Sequence, residues 1–327
     1  METIKDITIN YTDSNTEMFD SFLKLSIKGN DVDNTVVNTI RRVSLTNVPV
    51  YAFNKFDITK NTSTFNNNYI KLRLRNIPVV GIKTKENILK KEVVELDNEI
   101  DLGNVMTMDD IDFTNNYKQE SIEKLTMYFD YENKTNSVAT VTTKDCKFYY
   151  KENEIENPYK VDLPLIKINE GGHITLTAIS ELGTINDSEI FSPISIFTFK
   201  KLKDSQFEIN LESRGQLDEK EILKITIKNI IYRLNELKKK ITEMEDNDKK
   251  EGYIIIENND HTIGNLLSTG LRKHKEVIFG GYNMPHLLDE KIKIHFNIKK
   301  SNIKKILLEV SDYYISLYGK IDSELEK

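Results

Sequence analysis

Residues 31–50 read DVDNTVVNTIRRVSLTNVPV, and this stretch decides how the rest of the chain is organised. Asp31 or Asp33 can cap a helix here, because a short carboxylate accepts the orphan amides of a first turn. The helix runs to Asn47. Val48-Pro49 ends it, since the residue before a proline avoids helical angles. At about 100° per residue, Val32, Val36, Val37, Ile40 and Val43 share one face. Burying each is worth roughly 1.5–3 kcal/mol. The opposite face carries Asn38, Arg41, Arg42 and Leu45. Such a stripe is either solvated surface or a docking face for a partner. Lysine outnumbers arginine 39 to 7 and there are only three alanines, a bias that fits an AT-rich genome. Two of the few arginines on one outer stripe, beside a leucine, favour the docking face.

Upstream, Phe22 to Ile27 reads as a strand turned by Gly29-Asn30. Downstream, from about Tyr51 to Phe191, the pattern is short strands and polar loops. Asn61 to Asn68 is one such loop, and Asp109-Asp110-Ile111-Asp112 is an acidic turn. Val138 to Thr143 and His173 to Ser180 read as strands, the latter with Ile174, Leu176 and Ala178 on one face. This stretch is expected to be a β-rich domain inserted into the first one.

A cleaner pattern then returns. Phe207, Ile209 and Leu211 alternate with Glu208, Asn210 and Glu212, as in a half-buried strand. Asp218 with Glu221 three residues on resembles a capping box. It opens a long helix in which Leu223, Ile227, Ile230, Leu234, Leu237, Ile241 and Met244 alternate between four- and three-residue spacing. That is a seam that packs along another helix, although a core helix within one domain fits it too. Glu243 to Gly252 is charged and suits a linker. A βαββα-like unit follows. Tyr253 to Glu257 is its first strand. Its helix, His261 to Lys273, turns Ile263, Leu266, Leu267 and Leu271 inward. Val277 to Phe279 is a short strand. Lys291 to Ile298 places Ile292, Ile294, Phe296 and Ile298 on one side. The last helix carries Ile303, Ile306, Leu307, Val310, Tyr314 and Leu317 at helical spacing.

Composition bounds the function. The 327 residues suggest two or three domains of a soluble, globular chain. Neither a membrane span nor a signal peptide is read from the sequence. The net charge of −6 argues against a protein whose main task is gripping phosphates. Cys146 is the only cysteine, which excludes an intramolecular disulfide and a cysteine-built zinc site. It reads as a small buried side chain. No phosphate-cradling GxxxxGK loop and no HExxH occurs. His261 and His286 are the one histidine pair expected to approach, and turn or cap hydrogen bonds are the plainer role for both. The Asp109 turn invites a magnesium or hydrolase reading, against the plainer one of a solvated turn. Lys299-Lys300 and Lys304-Lys305 invite a DNA-binding reading, which the acidic net charge opposes. No catalytic residue, metal or cofactor is expected.

Three motifs carry a family resemblance. Asn38 to Ala52, continued by Leu74-Arg75-Asn76-Ile77-Pro78, resembles the signature of the alpha-type subunits of RNA polymerase: bacterial alpha, its archaeal counterpart and the third-largest subunit of polymerase II. Glu189 to Ile194 and Phe207 to Gly215 resemble that family's return into its first domain. His261-Thr262-Ile263-Gly264-Asn265-Leu266-Leu267, then Phe279-Gly280-Gly281-Tyr282-Asn283-Met284-Pro285-His286, resembles the small partner of the alpha-type chain, found in archaea and as the eleventh subunit of polymerase II. The resemblance spans about Phe22 to Leu317 and is loose in the insert. Both halves on one chain resemble the fused subunit of large DNA viruses of the pox and African swine fever type. Some cellular relatives bind zinc or an iron–sulfur cluster through cysteines in the insert; with Cys146 alone, no metal is carried over.

The resemblance implies an α+β fold: two alpha-amino-terminal-domain-like dimerisation units fused in one chain. Residues 1–50 and 195–245 would form the first, 51–194 the insert, 246–252 a linker and 253–327 the second. It implies a non-catalytic assembly platform that docks the second-largest and then the largest polymerase subunit, and a small tenth- or twelfth-subunit-like chain. No direct sequence-specific nucleic acid and no membrane are expected as partners. Asn38, Arg41, Arg42 and Leu45 would serve the docking face. Leu223 to Ile241 would serve the intramolecular pairing, with His261, Thr262, Gly264, Asn265, Tyr282, Pro285 and His286 as the family motif. The expected location is intracellular and, for a viral chain, the virion and cytoplasmic viral factory.

Overall fold

The computed structural model describes residues 4, 6–16, 21–80, 124–150, 153–244, 249–257, 260–286, 291–300 and 302–327. They form two compact units. One comprises Met1–Val48, Ile194–Ser213 and Asp218–Lys327, the other Pro49–Pro193 and Arg214–Leu217. The chain begins the first unit with strands β1 (Thr8–Asn15) and β2 (Phe22–Lys28), then helix α1 (Asn34–Thr46). Leu23, Leu25 and Ile27 of β2 are buried, as their alternation requires. Asp33 caps α1 by accepting the amide of Val36 at 2.9 Å. The five valine and isoleucine positions are all buried, and so are Thr39 and Ser44.

The second unit is built from β3 (Val50–Asn61), α2 (Asn67–Arg75), β4 (Leu125–Glu132), β5 (Ala139–Thr142), β6 (Lys147–Tyr150), β7 (Asn153–Ile155), β8 (Pro164–Ile168) and β9 (His173–Gly183). Five strands form an antiparallel sheet in the order β3-β9-β4-β6-β7, and β5 pairs with β8. Ile174, Leu176 and Ala178 face its core. Helix α2 begins within the stretch expected to be loop. Asn66 caps it by accepting the amide of Tyr69 at 2.8 Å, and Ile70 and Leu74 anchor it. Cys146 is buried, with its thiol on the Thr142 carbonyl. Burial and the nearby Asp145 charge push that thiol up to about 12. The acidic turn at Asp109 lies outside the described residues.

The chain re-enters the first unit through β10 (Ile194–Lys203), β11 (Gln206–Ser213) and α3 (Glu219–Glu243). The sheet order is β1-β2-β11-β10, so the returning hairpin pairs with β2 and Ile209 stands opposite Leu25. Asp218 holds the N-cap position of α3 without a side-chain capping bond, so the expected capping box does not form. The carboxylate that ties the helix start down belongs to buried Glu219, which accepts the Ser213 amide at 3.1 Å and the Ser21 hydroxyl at 2.7 Å.

The same unit is completed by β12 (Glu251–Glu257), α4 (His261–Lys273), β13 (Val277–Asn283), β14 (Lys291–Ile298) and α5 (Ile303–Leu325). Strand β12 starts two residues earlier than expected, shortening the linker, and β13 runs four residues longer. Their sheet has the order β12-β14-β13. The expected inward residues of α4, β14 and α5 are buried, and α5 continues the stripe through Tyr318, Ile321 and Leu325.

Candidate subunit interface

Helices α3 and α5 lie against each other. Leu223, Ile227, Ile230, Leu234, Leu237 and Ile241 are all buried. Their alternating spacing keeps one stripe on the partner helix over about five turns. Helices α1 and α4 cross beside them. Gly270 of α4 packs against α5: a Cβ built on it would stand 2.8 Å from the Tyr314 ring and overlap Val310. Ser44 of α1 also contributes. The Thr226 hydroxyl of α3 donates to Ser44 at 3.0 Å, while Ser44 donates to the Ile40 carbonyl. Two helices thus approach through small polar residues whose hydrogen bonds are made.

The α1–α4 crossing is two-fold in character. Thr262, the second residue of α4, accepts from the Nε of Arg42, the ninth residue of α1, at 2.9 Å. Thr35, the second residue of α1, lies 3.4 Å from Thr269, the ninth of α4, hydroxyl to hydroxyl. The two contacts exchange the roles of the helices, as an isologous interface demands. The caps reach across as well. Asp33, which caps α1, pairs with Lys273 in the last turn of α4 at 2.6 Å. Asp260, which caps α4 through the amides of Thr262 and Ile263, pairs with Arg233 of α3 at 3.1 Å. Burial pulls the Asp260 carboxyl upward, but the Arg233 guanidinium and those two amides outweigh it and hold the group below its ordinary value.

Neither Asp260 nor Arg233 was singled out from the sequence. Asp260 directly precedes the apolar period of α4, which is the signature of a cap. Arg233 is one of only seven arginines and lies off the apolar seam.

On the outer stripe of α1, Asn38, Arg41 and Leu45 are half-buried and Arg42 is exposed. The arginines are more occupied than their outward position suggests. Arg41 Nε donates to the Phe197 carbonyl of β10 at 3.3 Å, and Arg42 holds Thr262 as above. Each bond uses Nε, so each guanidinium also carries two terminal NH₂ groups, a fork suited to a carboxylate.

The C-terminal motif residues have structural partners. Gly264 is required by its neighbour, because a Cβ there would stand 2.5 Å from the Tyr282 ring. His261 meets that ring edge-on at 5.9 Å and lies 3.4 Å from its hydroxyl through Nδ1. Asn265 is half-buried, while Pro285 and His286 are exposed. Among the described residues, no three His, Cys, Asp or Glu side chains come together as a metal site. Nor, among them, is any helix long and apolar enough to cross a membrane.

Two α+β halves, paired through their helices in one chain, define a tandem dimerisation module. The model of the RNA polymerase Rpb3/Rpb11 dimerisation domain matches residues 27–234, and a second model with the same description matches residues 251–324. The chain belongs to this family and carries its domain twice. It is 24% identical over 325 residues, 92% of its own length and 90% of the relative's, to a protein described as a DNA-directed RNA polymerase subunit of Acanthamoeba polyphaga mimivirus. Other likenesses are shorter. One is the RPAC2 subunit of RNA polymerases I and III of Caenorhabditis briggsae, 34% identical over 29% of this chain and 72% of that one. Another is the RNA polymerase II subunit rpb11 of Dictyostelium discoideum, 28% identical over 27% and 79%.

Proposed function

We propose that this protein is the non-catalytic assembly platform of a multi-subunit DNA-dependent RNA polymerase. It docks the second-largest subunit first and the largest afterwards, and a small tenth- or twelfth-subunit-like chain joins them. The observation that carries the reading is that both dimerisation halves fold into one unit with reciprocal α1–α4 contacts. A platform of this kind needs no partner chain to complete itself. The catalytic magnesium then belongs to the largest subunit. A viral origin is supported by the mimivirus relative, and the virion and a cytoplasmic factory are the sites we propose for it.

The outer stripe of α1 is the proposed docking face for the second-largest subunit. Arg41 presents its terminal NH₂ groups beside Leu45 and Asn38, a charged fork next to an apolar contact, as interface hot spots are commonly built. Arg42 serves the fold and the face together, so the test uses Arg41 and Leu45. Arg41→Ala with Leu45→Ala is expected to weaken association with the second-largest subunit by about 2 kcal/mol, while the free chain melts within a few degrees of the parent. Titration against that subunit, beside thermal melts, checks it. Unchanged binding removes α1 from the docking face. Failure of the native chain to co-purify with two very large subunits removes the platform reading itself.

A further inference from the structure

The two sheets of the first unit differ in how much apolar surface they turn outward. On the four-stranded sheet, Lys24, Glu208, Asn210 and Glu212 share the outer face with Phe22, which lies under the Lys24 ammonium, and with Ile196, which is 43% exposed. On the three-stranded sheet, Tyr253 and Ile255 of β12 are 54% and 50% exposed, and Ile278 and Phe279 of β13 are 64% and 57% exposed. Large apolar side chains gathered this way on one face mark a binding surface.

Their arrangement is specific. Tyr253 stands opposite His295 of β14, which stands opposite Gly281 of β13. The Tyr253 and His295 rings are 6.0 Å apart. Phe279 leans over Gly281, its ring reaching within 3.2 Å of where a Cβ would stand. Three flat rings therefore cross the sheet in one row, and the glycine makes room for the third. Cations flank the row. Lys293 lies with its ammonium 3.6 Å from the Tyr253 ring centroid. At the sheet end nearest Phe279, where Ile298 bonds to Lys250 and Lys299 to Glu276, Lys250, Lys275, Lys299 and Lys300 are exposed. Glu251 is an acidic group on the same face, and Asn297 donates to it at 3.4 Å.

We infer that this face binds single-stranded nucleic acid without sequence preference. Exposed aromatic rings on an antiparallel sheet stack unpaired bases, and lysines beside them follow the phosphates. A duplex hides its bases from such a face. A stacked base would take the place of the Lys293 ammonium on Tyr253, releasing that cation toward a phosphate. The acidic charge of the whole chain limits grip by charge alone, so the rings must supply much of the affinity. The lysine pair 299–300, which the docking role leaves unused, has a task in this arrangement.

The test is fluorescence anisotropy of the full chain with a labelled oligouridylate of about 15 nucleotides at low salt, roughly 50 mM. Binding is expected, and it should weaken as salt rises. Tyr253→Ala with Phe279→Ala should weaken it at least tenfold with little change in melting, because both rings are more than half exposed. Tyr253→Trp, which keeps a stacking ring, should retain it. No binding at low salt overturns the inference. So does binding that only lysine substitutions reduce, which is generic charge attraction. If the ring substitutions spare the oligonucleotide but weaken association with a large polymerase subunit, the face is a protein contact and the inference is also lost. The docking proposal for α1 stands or falls separately, on its own variants.

Discussion

Replacing Asp260 separates two contributions that meet in one carboxylate. Asp260→Ala removes the cap of α4, worth about 0.5–2 kcal/mol. It also removes the partner of Arg233. The Asp260 side chain is 45% exposed and that of Arg233 19%, so solvent screens this pair and its share is about 0.5–1 kcal/mol. The total is about 1–3 kcal/mol, which for a unit of this size lowers the melting temperature by roughly 2–10 °C. Asp260→Asn keeps an acceptor at the cap and loses only the charge, so it should cost no more than about 1 kcal/mol. The folded carboxyl is held below its unfolded value. Its contribution is therefore complete above about pH 4, the unfolded value, and is lost as pH falls through the folded one. Wild type should outlast Asp260→Asn in urea at neutral pH, and the two should converge in acid. An Arg233→Ala by Asp260→Asn double-mutant cycle reads the pair alone. The reasoning fails if the alanine variant melts with wild type, or if the gap to the asparagine variant persists at the lowest pH where both fold.

Two further outcomes follow from burial. Leu234 is wholly buried in the α3 stripe, so Leu234→Asp should cost several kcal/mol, about 3–5, by placing a charge without a partner there; a urea midpoint near that of wild type would contradict it. The Cys146 thiol, buried and pushed up to about 12, should resist a thiol reagent at neutral pH until the second unit unfolds, and rapid labelling of the native chain would show otherwise.

Elements whose apolar residues repeat strongly were legible in the sequence. Helices α1 and α4 and strands β11 and β14 lie within a residue or two of where periodicity placed them, because one buried face fixes each repeat. Strand β1 was not seen, since it is an edge strand with only scattered half-buried side chains and no clean alternation. Helix α2 was not seen, and its first two residues fall in the Asn61 to Asn68 stretch expected to be loop, because only Ile70 and Leu74 are buried in it, two apolar anchors in a polar run. Asp218 and Glu221 have the spacing of a capping box, but the Glu221 amide bonds to the Asp218 carbonyl and Asp218 makes no side-chain cap bond. The outer stripe of α1 was legible as a stripe. That Arg42 closes on Thr262 was not, because the partner is 220 residues away and only the fold brings it there.

That long-range contact explains how fusion and pairing fit together. A single chain raises the effective concentration of its two halves, so pairing becomes a folding step and does not depend on protein concentration. Proximity alone does not choose a register, however, and apolar stripes on helices slide with modest penalty. The polar contacts supply the choice. Thr262 reaches Arg42 and Thr35 reaches Thr269 only when the second and ninth residues of the two helices face each other. A shift of one turn would separate both pairs at once. It would also part Asp33 from Lys273, whose bond joins the first cap to the far end of the other helix. Each interaction is individually small at this exposure. Their combined effect is to make the two-fold arrangement the one in which all of them are made, while the buried stripes of α3 and α5 provide most of the stability.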